Sequence, residues 1–196
     1  MKGAIAVWWI GAGRAETPLL DGVRGSLETE YRLPVRLHVA ADRPVDAYDV
    51  RRGQHASAKI LSWLSGRAPA GSRRILGVTD ADLFIPILTF VFGEAELHGH
   101  AAVVSTARLA GLEGTMADPE LLAIRLAKEC VHEVGHTFGL IHCRAPGCAM
   151  ARSASLRDVD AKTGHLCAEC RERFDDVLTK EARRHEPQEH PHPDRR

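Results

Sequence analysis

Eleven residues constrain this chain more than any other stretch: His132-Glu133-Val134-Gly135-His136-Thr137-Phe138-Gly139-Leu140-Ile141-His142. They fit the pattern H-E-x-x-H-x-x-G-x-x-H at every defined position. At about 100° per residue, His132 and His136 stand about 40° apart around a helix and one turn apart along it, so two imidazoles reach one ion. Glu133 lies beside them, free to hold water. Gly139 sits where a helix often ends in a residue of positive φ, and the turn it permits swings His142 back toward the same ion. The bland alternative is a buried helix whose histidines merely find hydrogen bonds, but such a helix gains nothing from this spacing.

The helix that carries the string is marked upstream. Asp118-Pro119 is a cap followed by a proline at the first helical position. Ile124, Ala127, Val131, Val134 and Phe138 recur at spacings of three and four, so they predict one apolar face set in the core, on a helix running from Asp118 to about Gly139. Cys130, two residues before His132, reads as a small buried apolar residue and not as a ligand or redox switch.

Coordination dictates the chemistry. Three neutral imidazoles bind Zn²⁺ and leave a fourth position for water, whose pKa the ion lowers to about 7. Glu133 then takes the proton as water attacks a peptide carbonyl, and passes it to the departing amine. No acyl-enzyme forms in this scheme.

A second cluster starts at the next residue. Cys143 and Cys148 are separated by four residues, and Cys167 and Cys170 form a C-x-x-C, so four thiolates are available for a closed tetrahedral zinc site. A redox pair at Cys167 and Cys170, or two disulfides, are the competing readings. Because Cys143 directly follows His142, metal binding at the thiolates would clamp the loop that presents the third imidazole. Two zinc ions per chain are therefore expected.

Composition bounds the rest. The 196 residues carry 26 Lys plus Arg against 26 Asp plus Glu, so no field of one sign draws in nucleic acid or an acidic membrane. Eleven His and five Cys are too few thiols for a disulfide scaffold and enough donors for metal. The longest apolar run, Leu83 to Phe92, contains Pro86 and is half of the roughly 20 residues a membrane helix needs. Ala4 to Ile10 makes a poor export signal and a good first strand, and zinc thiolates favour a reducing interior, so a cytoplasmic location is expected. A monomer is also expected, although nothing in the sequence bears on oligomeric state.

Strand and helix signals alternate, which predicts an α/β fold with a largely parallel sheet covered on both faces. Gly3 to Ile10, Pro34 to Ala40, Ile75 to Val78, Phe90 to Phe92 and Ala101 to Thr106 read as strands. Helices are expected from Thr17-Pro18 to about Tyr31 and over Tyr48 to Leu64, the latter ended by Gly66 and Pro69. After the active-site helix come a cysteine-bearing loop and one last helix. From His185 the chain has no apolar residue and reads as a solvated, disordered tail.

Taken together, His132, Glu133, His136, Gly139, His142, Cys143, Cys148, Met150, Cys167 and Cys170 resemble the long motif of the archaemetzincins, a branch of the metzincin zinc peptidases. Leu76 to Asp82, Phe90 to Ala95 and Val103 to Leu109 also resemble the family, so the likeness covers most of residues 1 to about 180. The resemblance implies that Met150 forms a methionine turn beneath the catalytic zinc and that the four cysteines hold a second, structural zinc. It implies a metzincin-like mixed sheet with covering helices, divided at the cleft into residues 1–139 and a small lower part, 140–184, within one metallopeptidase domain, 1–184. It also implies that Gly99 to Ser105 is the edge strand on which a peptide substrate lies by strand addition. The 16 residues between Met150 and Cys167 are one fewer than the family pattern, a small matter in a loop. No tyrosine follows Met150, so no tyrosine ligand is expected there.

Lesser candidates have plain explanations. His98 and His100 alternate near a strand and more simply share an exposed face. His165, close to Cys167, reads as a surface loop residue, and His190 and His192 as adventitious metal binders in the tail. Gly11-Ala12-Gly13 lacks the third glycine of a dinucleotide fingerprint, since position 16 is Glu. Two classes of function stand at this point: a zinc peptidase acting on peptides or proteins, and a catalytically silent zinc-stabilised module that only captures peptides.

Overall fold

Side chains alternate across β1 (Ala4–Trp9), sending Ile5, Val7 and Trp9 into one apolar cluster and Ala6 into another on the opposite face. The computed structural model describes residues 3–11, 17–39, 43–111 and 118–184. β1 lies inside a five-stranded sheet with β2 (Val35–Val39), β5 (Ser72–Thr79), β7 (Gly93–Ala95) and β8 (Ala101–Ser105), in the order β2-β1-β5-β8-β7. Four strands run parallel, and β7 closes one edge antiparallel to β8. Helix α1 (Thr17–Tyr31) and the long helix α3 (Pro119–Thr137) cover one face, while α2 (Ser57–Ser65) covers the other with Ile60, Leu61 and Leu64. The expected mixed α/β architecture is the one observed.

Ahead of Pro119, three elements differ from expectation. The helix foreseen over Tyr48 to Leu64 begins only at Ser57. Ahead of it, β3 (Tyr48–Asp49) and β4 (Gln54–Ala56) form a hairpin, turned by Gly53 at φ 64° and by the Asp49 carboxylate accepting from the Arg51 and Arg52 amides. With β6 (Leu83–Phe84) they make a second, three-stranded sheet. Phe90 to Phe92 is not a strand: Val91 makes a lone bridge to Leu83, and β7 starts at Gly93. The segment Gly99 to Ser105 is not the edge either, because β8 is hydrogen-bonded on both sides, to β5 and to β7.

Helix α3 (Pro119–Thr137) is capped by Asp118, whose side chain accepts from the Glu120 amide at 2.9 Å. Val131, Val134 and Phe138 are fully buried as expected, but Ile124 is 46% exposed. The stretch of α1 near it offers Gly22 and Gly25, which have no side chains to cover it. Beyond α3 there are two helices rather than one, α4 (Leu156–Ala161), opened by a Ser155–Asp158 capping box, and α5 (Ala168–Arg184). Phe174 of α5 packs its ring against Tyr31 and Phe138, tying the last helix to α1 and α3. No helix among the described residues is long and apolar enough to cross a membrane. The tail from His185, with His190 and His192, and Ala12-Gly13 lie outside the described residues.

Candidate active site

The end of α3 explains how three distant histidines meet. The Gly139 amide donates to the His136 carbonyl at 2.8 Å and the Leu140 amide to the Gly135 carbonyl at 3.1 Å, a reversed turn that Gly139 permits with φ 84°. The chain doubles back, and His142 comes to rest with its ring centroid 5.3 Å from that of His132 and 4.9 Å from that of His136. One donor atom from each of the three lies within 4.8 Å of the others.

Hydrogen bonds fix which nitrogens face inward. Nδ1 of His132 meets the Ala149 carbonyl at 2.8 Å and Nδ1 of His136 meets the Leu140 carbonyl at 2.6 Å. A carbonyl only accepts, so both Nδ1 atoms carry the proton and both Nε2 atoms present bare lone pairs. Those lone pairs stand 3.1 Å apart with no proton to share. Two nitrogens on one tetrahedral zinc, each about 2.0 Å from it, would stand about 3.3 Å apart, so the donor set fits that ion. Burial, reinforced by the Lys162 ammonium, holds His132 well below the ordinary imidazole range, and burial lowers His136 to about 4. Both rings are neutral at neutral pH, the state in which an imidazole can ligate a metal.

Glu133 is turned toward the sheet edge. A methyl on Gly93 would stand 2.7 Å from its Cγ and 2.9 Å from Oε1, so only glycine lets the carboxylate seat against β7. Burial pushes this carboxyl well up, Glu129 adds to the rise, and Lys162 opposes it. These groups line a cleft of about 610 Å³ together with Leu88 to Ala95, Leu97, Ile141, Arg152, Ser153 and Ala154. The strand bordering the cleft is thus β7, not β8.

A family model, peptidase family M54, matches residues 20–176 of the sequence. The chain belongs to peptidase family M54. With that membership the chain is a zinc metallopeptidase, and its relatives are archaemetzincins. The archaemetzincin of Methanopyrus kandleri is 45% identical over 159 residues, 79% of this chain and 87% of that one. That of Methanocaldococcus jannaschii is 43% identical over 136 residues, 69% of this chain and 74% of that one. The crystal structure of the Methanopyrus kandleri archaemetzincin matches at a TM-score of 0.79 and 37% identity, covering 90% of this chain and 96% of that chain.

In this M54 chain the four cysteines also converge. The Sγ atoms of Cys143, Cys148, Cys167 and Cys170 all lie within 4.8 Å of one another, and those of Cys143 and Cys167 are 3.8 Å apart, beyond a covalent S–S distance. Backbone amides already point at the sulfurs: Ala145 at Cys143 (3.4 Å), and Met150 and Cys167 at Cys148 (3.4 and 3.3 Å). Burial pushes the Cys148 and Cys170 thiols up, and for Cys170 the charge of Cys148 raises it further, whereas hydrogen bonding, led by the Cys170 amide, draws Cys167 down; negative charge gathered on adjacent sulfurs calls for a cation. That donor chemistry fits a structural zinc. Met150 is fully buried under α3, where a methyl on Gly135 would stand 2.5 Å from its Sδ.

Other histidines and the fifth cysteine go elsewhere. Cys130 is fully buried in the core. The His98 amide donates to the His136 carbonyl at 3.1 Å and its ring lies over Gly139, while His165 pairs with Glu30 at 3.0 Å. Neither these nor His100 joins a group of three metal donors among the described residues. Sequence reasoning missed Gly93, Glu129 and Lys162. Glu129 falls one turn before Glu133 and was open to notice as a carboxylate on the same face, whereas nothing local marks Lys162 as a buried neighbour.

Proposed function

We propose that this M54 peptidase hydrolyses peptide bonds in a cleft whose metal is held by His132, His136 and His142, with Glu133 as general base and then general acid. The observation that carries the reading is the pair of bare Nε2 atoms 3.1 Å apart, each fixed by a carbonyl behind it. A zinc ion bound there supplies a Lewis acid and makes water acidic enough to attack at neutral pH. The residues of the chain do the rest. Glu133, seated on Gly93, accepts a proton from water at its carboxylate and delivers it to the departing amine nitrogen. Its raised affinity for protons suits both halves of that task. The exposed backbone of β7 lies along the cleft and offers hydrogen bonds to an extended peptide.

Cys143, Cys148, Cys167 and Cys170 would hold the second ion, making two zinc ions per chain. The two sites share backbone: the amide of Cys143 donates to the Met150 carbonyl at 2.9 Å, and Ala149, next to Cys148, supplies the carbonyl that orients His132. Met150 acts as the methionine turn. We assign residues 1–184 to one metallopeptidase domain acting as a monomer, with the cleft between 1–139 and 140–184.

Glu133→Gln tests the mechanism. The variant keeps its zinc and its circular dichroism and loses cleavage of a diverse peptide library; cleavage at the parental rate would exclude Glu133 as base and leave peptide capture as the better reading. Metal analysis is expected to give about two zinc per chain, with one released first by chelator, because four thiolates hold zinc more tightly than three imidazoles and a water. One zinc with titratable free thiols would remove the structural site.

A further inference from the structure

Among the described residues lining the cleft, Arg152 is the one Lys or Arg side chain, and it is exposed. No carboxylate of the described chain pairs with it. Three acids line the cleft with it, Glu94, Glu129 and Glu133, and none of them forms an ion pair with Arg152. Glu129 is matched by Lys162 at 2.8 Å, and Glu133 is seated on Gly93. Glu94 stands in register with Val103 at the edge of the cleft, and its Oε2 is buried without a hydrogen-bond partner.

The backbone that presents Arg152 is fixed on both sides. On one side the Ala151 amide donates to the Cys148 carbonyl at 2.9 Å, and its carbonyl accepts from Lys162 at 3.3 Å. On the other, the Ser153 hydroxyl donates to Glu129 at 3.1 Å. A guanidinium on a rigid ledge beside the metal-binding imidazoles, with no counter-ion among the described residues, matches a planar two-oxygen anion brought in by the substrate.

We propose that Arg152 is a specificity-determining residue that takes a carboxylate of the peptide substrate near the scissile bond, from an acidic side chain or from a free C-terminus. The assignment rests on the peptidase reading above. It makes the enzyme selective for acidic or short peptides, which the cleft's apolar walls by themselves would not.

The test uses full-length zinc-loaded protein and matched decapeptides with Glu or Gln at each position in turn, each made as C-terminal acid and amide. In the parent, one position or the terminus shows a kcat/KM at least about tenfold higher for the carboxylate than for its amide partner. In Arg152→Gln that ratio falls to about one, and in Arg152→Glu below one, by the loss and reversal of a single charge. Ratios within one variant are insensitive to partial misfolding. Dependence on position marks a side chain, and dependence on the terminal acid alone marks the C-terminus. Absence of any carboxylate preference in the parent, or its survival in Arg152→Gln, overturns the proposal. If no peptide is cut, the peptidase reading fails separately, and calorimetric binding of the same peptides to parent and Arg152→Gln decides whether Arg152 selects a carboxylate.

Discussion

Lys162 holds its ammonium nitrogen 2.8 Å from a carboxylate oxygen of Glu129, with side-chain exposures of 0% and 2%. Glu129 lines the cleft while Lys162 is wholly buried, and the same Glu129 oxygen also accepts from Ser153. A buried charge without its partner is costly, whereas replacing both by apolar groups is often neutral. Lys162→Met is therefore expected to destabilise the zinc-loaded protein by about 3–5 kcal/mol, and Glu129→Leu/Lys162→Met to recover most of that loss. Guanidinium denaturation of the three proteins decides it; a single variant as stable as the parent would contradict the buried pair.

Gly93 and Glu133 are in contact across the cleft. A methyl at position 93 meets the Glu133 Cγ and the Val103 carbonyl oxygen, each at 2.7 Å, so the carboxylate must move. Gly93→Ala is expected to lower kcat about 100-fold, the scale of an ångström of misplacement, while zinc content stays at the parental value. Peptide turnover alongside metal analysis reads both, and unchanged turnover would mean that the seat on β7 is dispensable.

Gly139→Ala strains the turn that returns His142. The residue sits at φ 84°, and a methyl there would lie 2.0 Å from the His98 ring. The substitution is expected to cost about 1–3 kcal/mol and to weaken zinc at the histidine site. Adding His98→Ala removes the collision but not the positive φ, so it rescues only part of the loss in a thermal melt with metal titration. Full rescue would show that backbone conformation plays no part.

Acid should loosen α4 from α3. Two hydrogen bonds from Arg125, each 2.7 Å, hold the Asp160 carboxyl below its ordinary value of 3.8. A lowered folded-state pKa gives stability that is present above the unfolded value and lost as pH falls through the folded one. Between pH 4 and pH 2 the parent should thus lose more stability than Asp160→Asn, as read by urea unfolding at each pH. Equal slopes would leave the ion pair without a role in acid sensitivity.

Much of the site was legible because its information is local. His132, Glu133 and His136 sit on one regular helix, whose geometry follows from sequence spacing, and Gly139 announced the turn that His142 needs. Short-range signals also placed β1, α1, β2, β5 and β8. The hairpin ahead of Ser57 was misread because its turn rests on an aspartate bonding to amides and a glycine at positive φ, which outweigh the apolar spacing that follows.

By itself, the amino-acid order determined the class of fold, the donor types and their spacing, since these depend on helical period, capping and ligand chemistry. The tertiary structure alone decided which strand borders the cleft, that Glu133 rests on a glycine 40 positions upstream, and that Lys162 lies buried against Glu129. Those facts arise from strand order and from packing between segments far apart in the chain, where contact is set by what must be buried together and leaves no periodic trace in the sequence.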